Sequence, residues 1–278
     1  MDRPTFYEFF AGGGMARAGL GADWRCLFAN DFDARKAAVY RENWGGDHFR
    51  LEDVHKLAAA DLPGRADLAW ASFPCQDLSL AGAGRGLAGE RSGAFWGFAN
   101  LVAALRAEGR APKMLALENV AGLLTASGGR DFVALCEALQ RLGYRFGAMI
   151  MDAAHFTPQS RPRLFFVALD RSFDPPQPCV GDAPAGSWSS DALVRAQRSL
   201  PRSLAEDWLW WRLPPPPARN TALGDVIEAS PRDVRTTIIH GRVIMEDRKL
   251  LTIDAAEVRA HMRDITRRIN AALATGLK

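Results

Sequence analysis

Residues 5–21, TFYEFFAGGGMARAGLG, begin as an apolar, aromatic strand, break at three successive glycines and resume with residues that favour a helix. A strand, a glycine turn and a helix in this order are typical of nucleotide-binding α/β sheets. Gly12, Gly13 and Gly14 would let the backbone pass close to a ligand, and the following helix would offer its N-terminal amides. A tight structural turn explains the glycines equally well on the motif alone. No Gly-Lys-Ser or Gly-Lys-Thr follows, which argues against a P-loop.

A second stretch, DLAWASFPCQDLSLAG at residues 67–82, indicates a buried strand that delivers Cys75 to a loop. Open α/β sheets bind ligands at the carboxyl ends of their strands, so thiol chemistry is the first hypothesis for this cysteine. The loop at 79–93 is rich in glycine and alanine. It is compatible with a segment that moves over a bound substrate and with a plain surface connection.

The composition bounds the class of protein. With 278 residues, 48% hydrophobic and 24% charged, the chain can bury one large α/β core with at most a small appendage. It has no apolar run long enough to cross a bilayer and no secretory signal at its start, so we expect a cytoplasmic protein without a membrane partner. The net charge of +3 is weak support for a nucleic-acid partner. We expect neither a disulfide framework nor a metal site, because the four cysteines are scattered without a CxxC pair: Cys26, Cys75, Cys136 and Cys179.

Acidic residues follow two further predicted strands. Asp31 ends a strand that starts at Trp24, where its carboxylate could bind ribose hydroxyls, and Phe32 could offer an aromatic face to adenine. Asp33 is placed to cap the next helix. The alternative interpretation, in which Asp31 and Asp33 only form a turn and cap the helix, is supported equally well by their spacing. Asp53 closes another short segment.

Glu118 and Asn119 end a buried strand, which predicts that Glu118 is a neighbour of Cys75. Two later strands are separated by TPQSRP at 157–162, a link too short for a helical crossover, and we expect an antiparallel pair. Arg161 and Arg163 alternate in this segment and would point the same way, where they could hold a phosphate or a flipped base.

From Phe173 onward the chain is proline-rich and irregular, which predicts a domain boundary. Trp208, Trp210 and Trp211 could stack on bases, although packing in a minor core is the favoured interpretation. The segment 236–254 predicts three short β segments, and a basic helix is expected after them. We divide the chain into a catalytic domain at 1–172, a linker or shortened recognition region at 173–230, and a tail at 231–278.

Several of these motifs occur in a family-specific order. The first 170 or so residues resemble the DNA cytosine-5 methyltransferases in FFAGGG, NDFD, Asp53, FPCQDLS, RSGAF, LENV and PQSRPRLFFVA. The resemblance implies an α/β fold, the doubly wound, Rossmann-like methyltransferase sheet with an antiparallel last strand. It also implies S-adenosylmethionine as the cofactor.

The resemblance assigns roles to residues of this chain. Phe10, Gly12 and Gly14 would line the S-adenosylmethionine pocket, with Asp31 on the ribose, Phe32 on the adenine and Asp53 near its amino group. Cys75 would be the catalytic nucleophile, supported by Pro74 and Gln76. Glu118 would contact the cytosine at N3, and Asn119 would orient the cysteine loop. Arg161 and Arg163, which follow Gln159, would stabilise the flipped base.

The implied reaction is methyl transfer to carbon 5 of cytosine in double-stranded DNA, by a monomer of a bacterial restriction-modification system or an orphan enzyme. One alternative is a catalytically impaired remnant that binds only cofactor or nucleic acid. Another is the same chemistry on tRNA, which a related branch of the family modifies.

The chain departs from the family pattern after about Ser230. A long recognition domain and a closing Gly-Asn motif are expected in the family, and neither is found here. Residues 231–278 resemble the C-terminal tail of metal-dependent amidohydrolases, but the five histidines form no HxH metal-binding pair. These features predict a fusion, a frameshift or a truncation.

Overall fold

The structure is a computed structural model. It describes residues 3–74, 93–156, 160–175, 178–184 and 186–216, together with the backbone of three short strands between 237 and 250. The chain divides into two compact units, Met1–Ala218 and Arg219–Lys278.

The first unit is built on a seven-stranded sheet. Its strands are β1 (Thr5–Phe9), β2 (Arg25–Asp31), β3 (Phe49–Leu51), β4 (Leu68–Ala71), β5 (Met114–Val120), β6 (Tyr144–Asp152) and β7 (Pro162–Asp170). They lie in the order β3-β2-β1-β4-β5-β7-β6, and β7 runs antiparallel to both β5 and β6. The predicted doubly wound sheet and its antiparallel last strand are confirmed.

Helices connect the parallel strands. They are α1 (Met15–Leu20), α2 (Ala34–Trp44), α3 (Ala94–Ala107) and α4 (Arg130–Arg141). Two further helices, α5 (Asp191–Arg198) and α6 (Arg202–Ala205), follow the last strand of the sheet. Short 3-10 turns lie at Val54–Lys56, Ala59–Asp61, Ala121–Leu124, Ala126–Gly129, Ala153–His155 and Gly186–Trp188. Asp33 caps α2 as predicted, because its carboxylate accepts from the backbone N–H groups of Arg35 at 2.8 Å and Lys36 at 3.4 Å.

The main core lies where α3 and α4 cover one face of the sheet. Phe9 of β1 meets Phe98 of α3 with ring centroids 5.1 Å apart. Cys136 of α4 is fully buried in the same cluster, and burial raises the pKa of its thiol. The prediction that Cys136 is a core residue is confirmed.

The tryptophan-rich segment packs against this core. Trp208 and Trp210 belong to the main cluster, so the expectation of a minor core is wrong for these two side chains. The segment approaches β6 so closely that a Cβ at Gly147 would lie 1.8 Å from the Leu209 carbonyl oxygen. β9 (Trp210–Trp211) also pairs with β8 (Val180–Gly181). The proline-rich composition predicted an irregular segment but did not predict that this segment packs against the main core.

The second unit contains the antiparallel strands β10 (Thr237–Ile239), β11 (Arg242–Glu246) and β12 (Lys249–Leu250). The three predicted β segments are confirmed, and the predicted basic helix lies outside the described residues. Of the helices that the structure describes, none is both long and apolar enough to cross a membrane.

Candidate functional site

Two adjoining cavities open at the carboxyl ends of the parallel strands. The larger, of about 530 Å³, lies between the glycine turn after β1 and the ends of β4 and β5. The smaller, of about 200 Å³, lies beside the ends of β2 and β3 and the start of α3. Phe10 and Pro74 line both cavities, so the two share a wall. This is the edge where open α/β sheets bind ligands.

The glycine turn forms one wall of the larger cavity. Gly12 and Gly13 line it directly, whereas Gly14 faces Trp44 of α2. Gly14 has φ +83°, and a Cβ there would lie 2.2 Å from the indole nitrogen of Trp44. That nitrogen donates to the Gly13 carbonyl at 3.0 Å, so Trp44 holds the turn from behind.

Asp31 is buried behind the turn and is absent from the lining of both cavities. Its carboxylate accepts from the N–H of Gly12 and from the N–H of Asp33, each at 2.9 Å. These bonds match the turn-forming interpretation of Asp31, and its contact with a ribose stays a prediction. Phe32 and Asp53 line the smaller cavity, and Phe32 is 68% exposed there.

Glu8 is a residue of the site that sequence analysis missed. It is 1% exposed and lines the larger cavity. Burial raises the pKa of its carboxyl to about 7, although the Arg17 N–H donates to Oε1 at 3.4 Å. Among the described residues Oε2 has no hydrogen-bond partner, which is costly for a buried carboxylate. The available signal was an acid within an apolar strand that leads into the glycine turn.

Glu118 and the two arginines meet in the larger cavity. Glu118, Arg161 and Arg163 all line it. That the two arginine side chains point the same way stays a prediction. Arg163 Nε lies 3.6 Å from Glu118 Oε1. Ser72, which sequence analysis did not single out, donates to Glu118 Oε2 at 2.8 Å.

Asn119 links β5 to the segment that leads toward the cysteine. Its side-chain amide donates to the Phe73 carbonyl at 3.1 Å, and its Oδ1 accepts from the Val120 N–H at 2.8 Å. Pro74 follows Phe73 and lines both cavities. Cys75, Gln76 and Gln159 lie outside the described residues.

Sequence analysis also missed Asp152, which lies where β6 ends and the connection to β7 begins. Its Oδ1 accepts from the N–H of Ala154 at 3.0 Å and of Arg161 at 2.6 Å, and Oδ2 accepts from the Ser160 hydroxyl at 2.8 Å. The backbone N–H groups of Ala154 and Arg161 hold the pKa of Asp152 below its ordinary value. Asp152 therefore holds the backbone of Arg161 in place.

Comparison with known proteins gives a consistent set of relatives. The chain is 34% identical over 167 residues to the type II methyltransferase M.BsuFI of Bacillus subtilis, a match that covers 59% of this chain and 39% of the relative. It is 34% identical over 175 residues to M.HaeII of Haemophilus aegyptius, with 62% and 52% covered. The chain thus spans about half or less of the length of these curated relatives.

A solved structure shows the same fold. The Dnmt2 methyltransferase of S. pombe superposes with a TM-score of 0.50 at 23% identity, over 63% of this chain and 53% of that one.

The family match reaches beyond the segment that sequence analysis assigned to it. The model for C-5 cytosine-specific DNA methylases matches residues 4–252, and this range includes β10, β11 and β12. The comparisons give no support to the resemblance of the tail to amidohydrolases. The chain belongs to the C-5 cytosine-specific DNA methylase family.

Proposed function

We propose that this protein transfers a methyl group from S-adenosylmethionine to carbon 5 of cytosine in double-stranded DNA. The observation that carries the proposal is the convergence of Glu118, Arg161 and Arg163 with the glycine turn on one cavity. Family membership implies the cofactor and the DNA substrate, and it supports extending both to this chain.

The residues of the two cavities fit S-adenosylmethionine. The unpartnered, buried Oε2 of Glu8 would accept from the ammonium group of the methionine part. Gly12 and Gly13 would allow that part to lie against the backbone. The exposed face of Phe32 would stack on the adenine, with Asp53 beside it. When bound, the cofactor supplies an electrophilic methyl group.

Cys75 is proposed as the nucleophile. Carbon 5 of cytosine is a weak nucleophile until a thiolate adds to carbon 6, which moves an electron pair onto the ring and makes carbon 5 reactive. Cys75 directly follows Pro74, which lines both cavities, and this supports placing the thiol at the site. After methylation, a base removes the proton on carbon 5, and the Cys75 thiolate is expelled.

Glu118 is proposed to supply the proton that N3 takes up as the thiolate adds. Arg161 and Arg163 would hold the extruded base and its backbone through charge-assisted hydrogen bonds. These contacts would offset the few kcal/mol that extrusion of a base from the duplex costs.

The setting of the reaction is proposed from the relatives. M.BsuFI and M.HaeII come from bacteria and are type II methyltransferases. We propose that this chain acts in the cytoplasm as a monomer. It would work beside a restriction enzyme or as an orphan methylase.

The proposal is tested by incubating the full chain with duplex DNA and S-adenosylmethionine carrying a tritiated methyl group. We expect labelled DNA that yields 5-methylcytosine on digestion, and no label with C75A or E118Q. C179A is the matched cysteine control, because Cys179 is exposed and does not line either cavity. Label in tRNA but not in DNA would assign the same chemistry to the other substrate, and label in neither would contradict the proposal.

A further inference from the structure

Ser72 stands between Trp70 and Glu118 in a line of hydrogen bonds. Trp70 Nε1 donates to Ser72 Oγ at 2.9 Å, and Ser72 Oγ donates to Glu118 Oε2 at 2.8 Å. In the β4–β5 register Trp70 is paired with Ala116. Side chains two residues apart on a strand share a face, so Ser72 and Glu118 come side by side. The line of bonds therefore ends on the carboxylate that we propose as the proton donor.

The chemistry of the two outer groups sets the direction of the hydrogen bonds. An indole N–H can only donate, and an ionised carboxylate can only accept. The Ser72 oxygen accordingly accepts from Trp70 while its hydrogen points at Glu118 Oε2. A donor to the charged form of a carboxylate favours that form, and a hydroxyl polarised by a second donor is a stronger donor itself.

Other charged groups lie near the same carboxylate. Arg163 Nε of β7 lies 3.6 Å from Glu118 Oε1, beyond hydrogen-bond distance. Arg161 and Glu8 of β1 line the same cavity. Ser72 differs from these groups because it makes a hydrogen bond of ordinary length to the carboxylate and fixes its orientation.

We propose that Ser72, supported by Trp70, is a positioning residue that orients the Glu118 carboxylate toward the target base. This inference rests on the proposed function, in which Glu118 gives a proton to N3 of the cytosine. Loss of the Ser72 hydroxyl would leave the carboxylate free to turn away from the base.

The direct test measures single-turnover methyl transfer together with the affinities for duplex DNA and S-adenosylmethionine. In S72A we expect the rate to fall about 10- to 100-fold while both affinities stay near wild type, because the carboxylate is misplaced and not lost. S72T keeps a hydroxyl and should restore most of the rate, and W70F keeps an aromatic ring without the N–H and should give a smaller fall.

S127A is the matched control, because Ser127 donates to the Asp131 carboxylate at 3.0 Å outside the site and its loss should leave the rate unchanged. Crystal structures of wild type and S72A give a second readout that needs no turnover. The Glu118 carboxylate should adopt one orientation in wild type and more than one in S72A.

An unchanged rate and an unchanged Glu118 orientation in S72A, or failure of S72T to restore the rate, would overturn the proposal. The crystallographic readout needs neither DNA nor turnover, so it separates this inference from the proposed function. Loss of the single Glu118 orientation in S72A, in a protein that methylates nothing, would uphold the role of Ser72 and refute the proposed function. An active wild-type enzyme whose rate and Glu118 orientation are the same in S72A would do the opposite.

Discussion

The side-chain amide of Asn119 donates a hydrogen bond of 3.1 Å to the backbone carbonyl of Phe73, across 46 residues of sequence. The bond joins the end of β5 to the segment after β4, and both groups are buried. Phe73 is followed by Pro74 and then by Cys75, so we expect the position of the proposed nucleophile to depend on this contact.

N119A should reduce methyl transfer more than it reduces stability. The Phe73 carbonyl would lose its partner, which costs about 1–2 kcal/mol of unfolding free energy. Misplacement of a catalytic group costs more, about 100-fold in rate. Urea unfolding and single-turnover kinetics measure the two effects. N43A is the matched control, because the Asn43 amide also donates to a backbone carbonyl, at 3.0 Å on the exposed face of α2, and both quantities should stay near wild type.

G14A should destabilise the protein more than G21A does. Both glycines have positive φ, +83° and +71°, so alanine meets a similar backbone cost of about 1 kcal/mol at either position. The space around Gly21 is open, whereas a Cβ at Gly14 would lie 2.2 Å from Trp44. We expect about 2 kcal/mol of additional loss in G14A from this overlap, measured by urea unfolding. Equal losses would show that the packing against Trp44 is unimportant.

Glu8 should make the free protein less stable as the pH rises. Burial raises the pKa of its carboxyl from an ordinary value of 4.5 to about 7, so the folded state binds more protons between these values than the unfolded state does. The stabilising effect of the protonated carboxyl is complete below pH 4.5 and is lost as the pH rises through about 7. The loss amounts to about 3 kcal/mol at pH 8.

E8Q should abolish this part of the pH dependence and be more stable than wild type at pH 8. The same substitution should weaken the binding of S-adenosylmethionine about tenfold, because the ammonium group loses a charged acceptor. Urea unfolding at pH 5 and pH 8 and calorimetric titration with the cofactor check the two effects. E137Q, on the surface of α4, serves as the control for a lost carboxylate. An unchanged slope of stability against pH in E8Q would contradict the assignment.

D152A should reduce methyl transfer by about 10- to 100-fold, because the Arg161 N–H and the Ser160 hydroxyl would lose their shared acceptor and Arg161 would be misplaced. The effect should fall on the step after DNA binding, so single-turnover rates should drop more than DNA affinity does. D152N keeps an oxygen acceptor for the two backbone N–H groups and should recover part of the rate. Equal rates in D152A and wild type would show that this carboxylate does not position Arg161.

Local sequence patterns predicted the frame of the molecule well. The apolar strand and glycines at 5–21 and the Asp33 cap each depend on residues close in sequence, and the structure contains both. Arg161 and Arg163 were predicted to share a direction because alternation along an extended segment is itself a local property.

The missed residues depend on contacts between distant segments. Ser72 gains its importance from Glu118, which lies 46 residues away, and an isolated serine before Phe73 carries no signal of it. Glu8 was hidden because its strand is otherwise apolar and aromatic. Trp208 and Trp210 were expected in a minor core, since composition alone does not reveal that β6 and α4 leave a surface for them.

The central claim is that Cys75 attacks carbon 6 of a cytosine in DNA. The most direct measurement incubates the full chain and S-adenosylmethionine with duplex DNA that contains 5-fluorocytosine, which blocks release of the enzyme after methylation. The account predicts a covalent protein–DNA adduct that survives denaturing electrophoresis, that mass spectrometry locates at Cys75, and that is absent in C75A but present in C179A. Absence of an adduct with the wild-type chain, or an adduct that persists in C75A, would contradict the account.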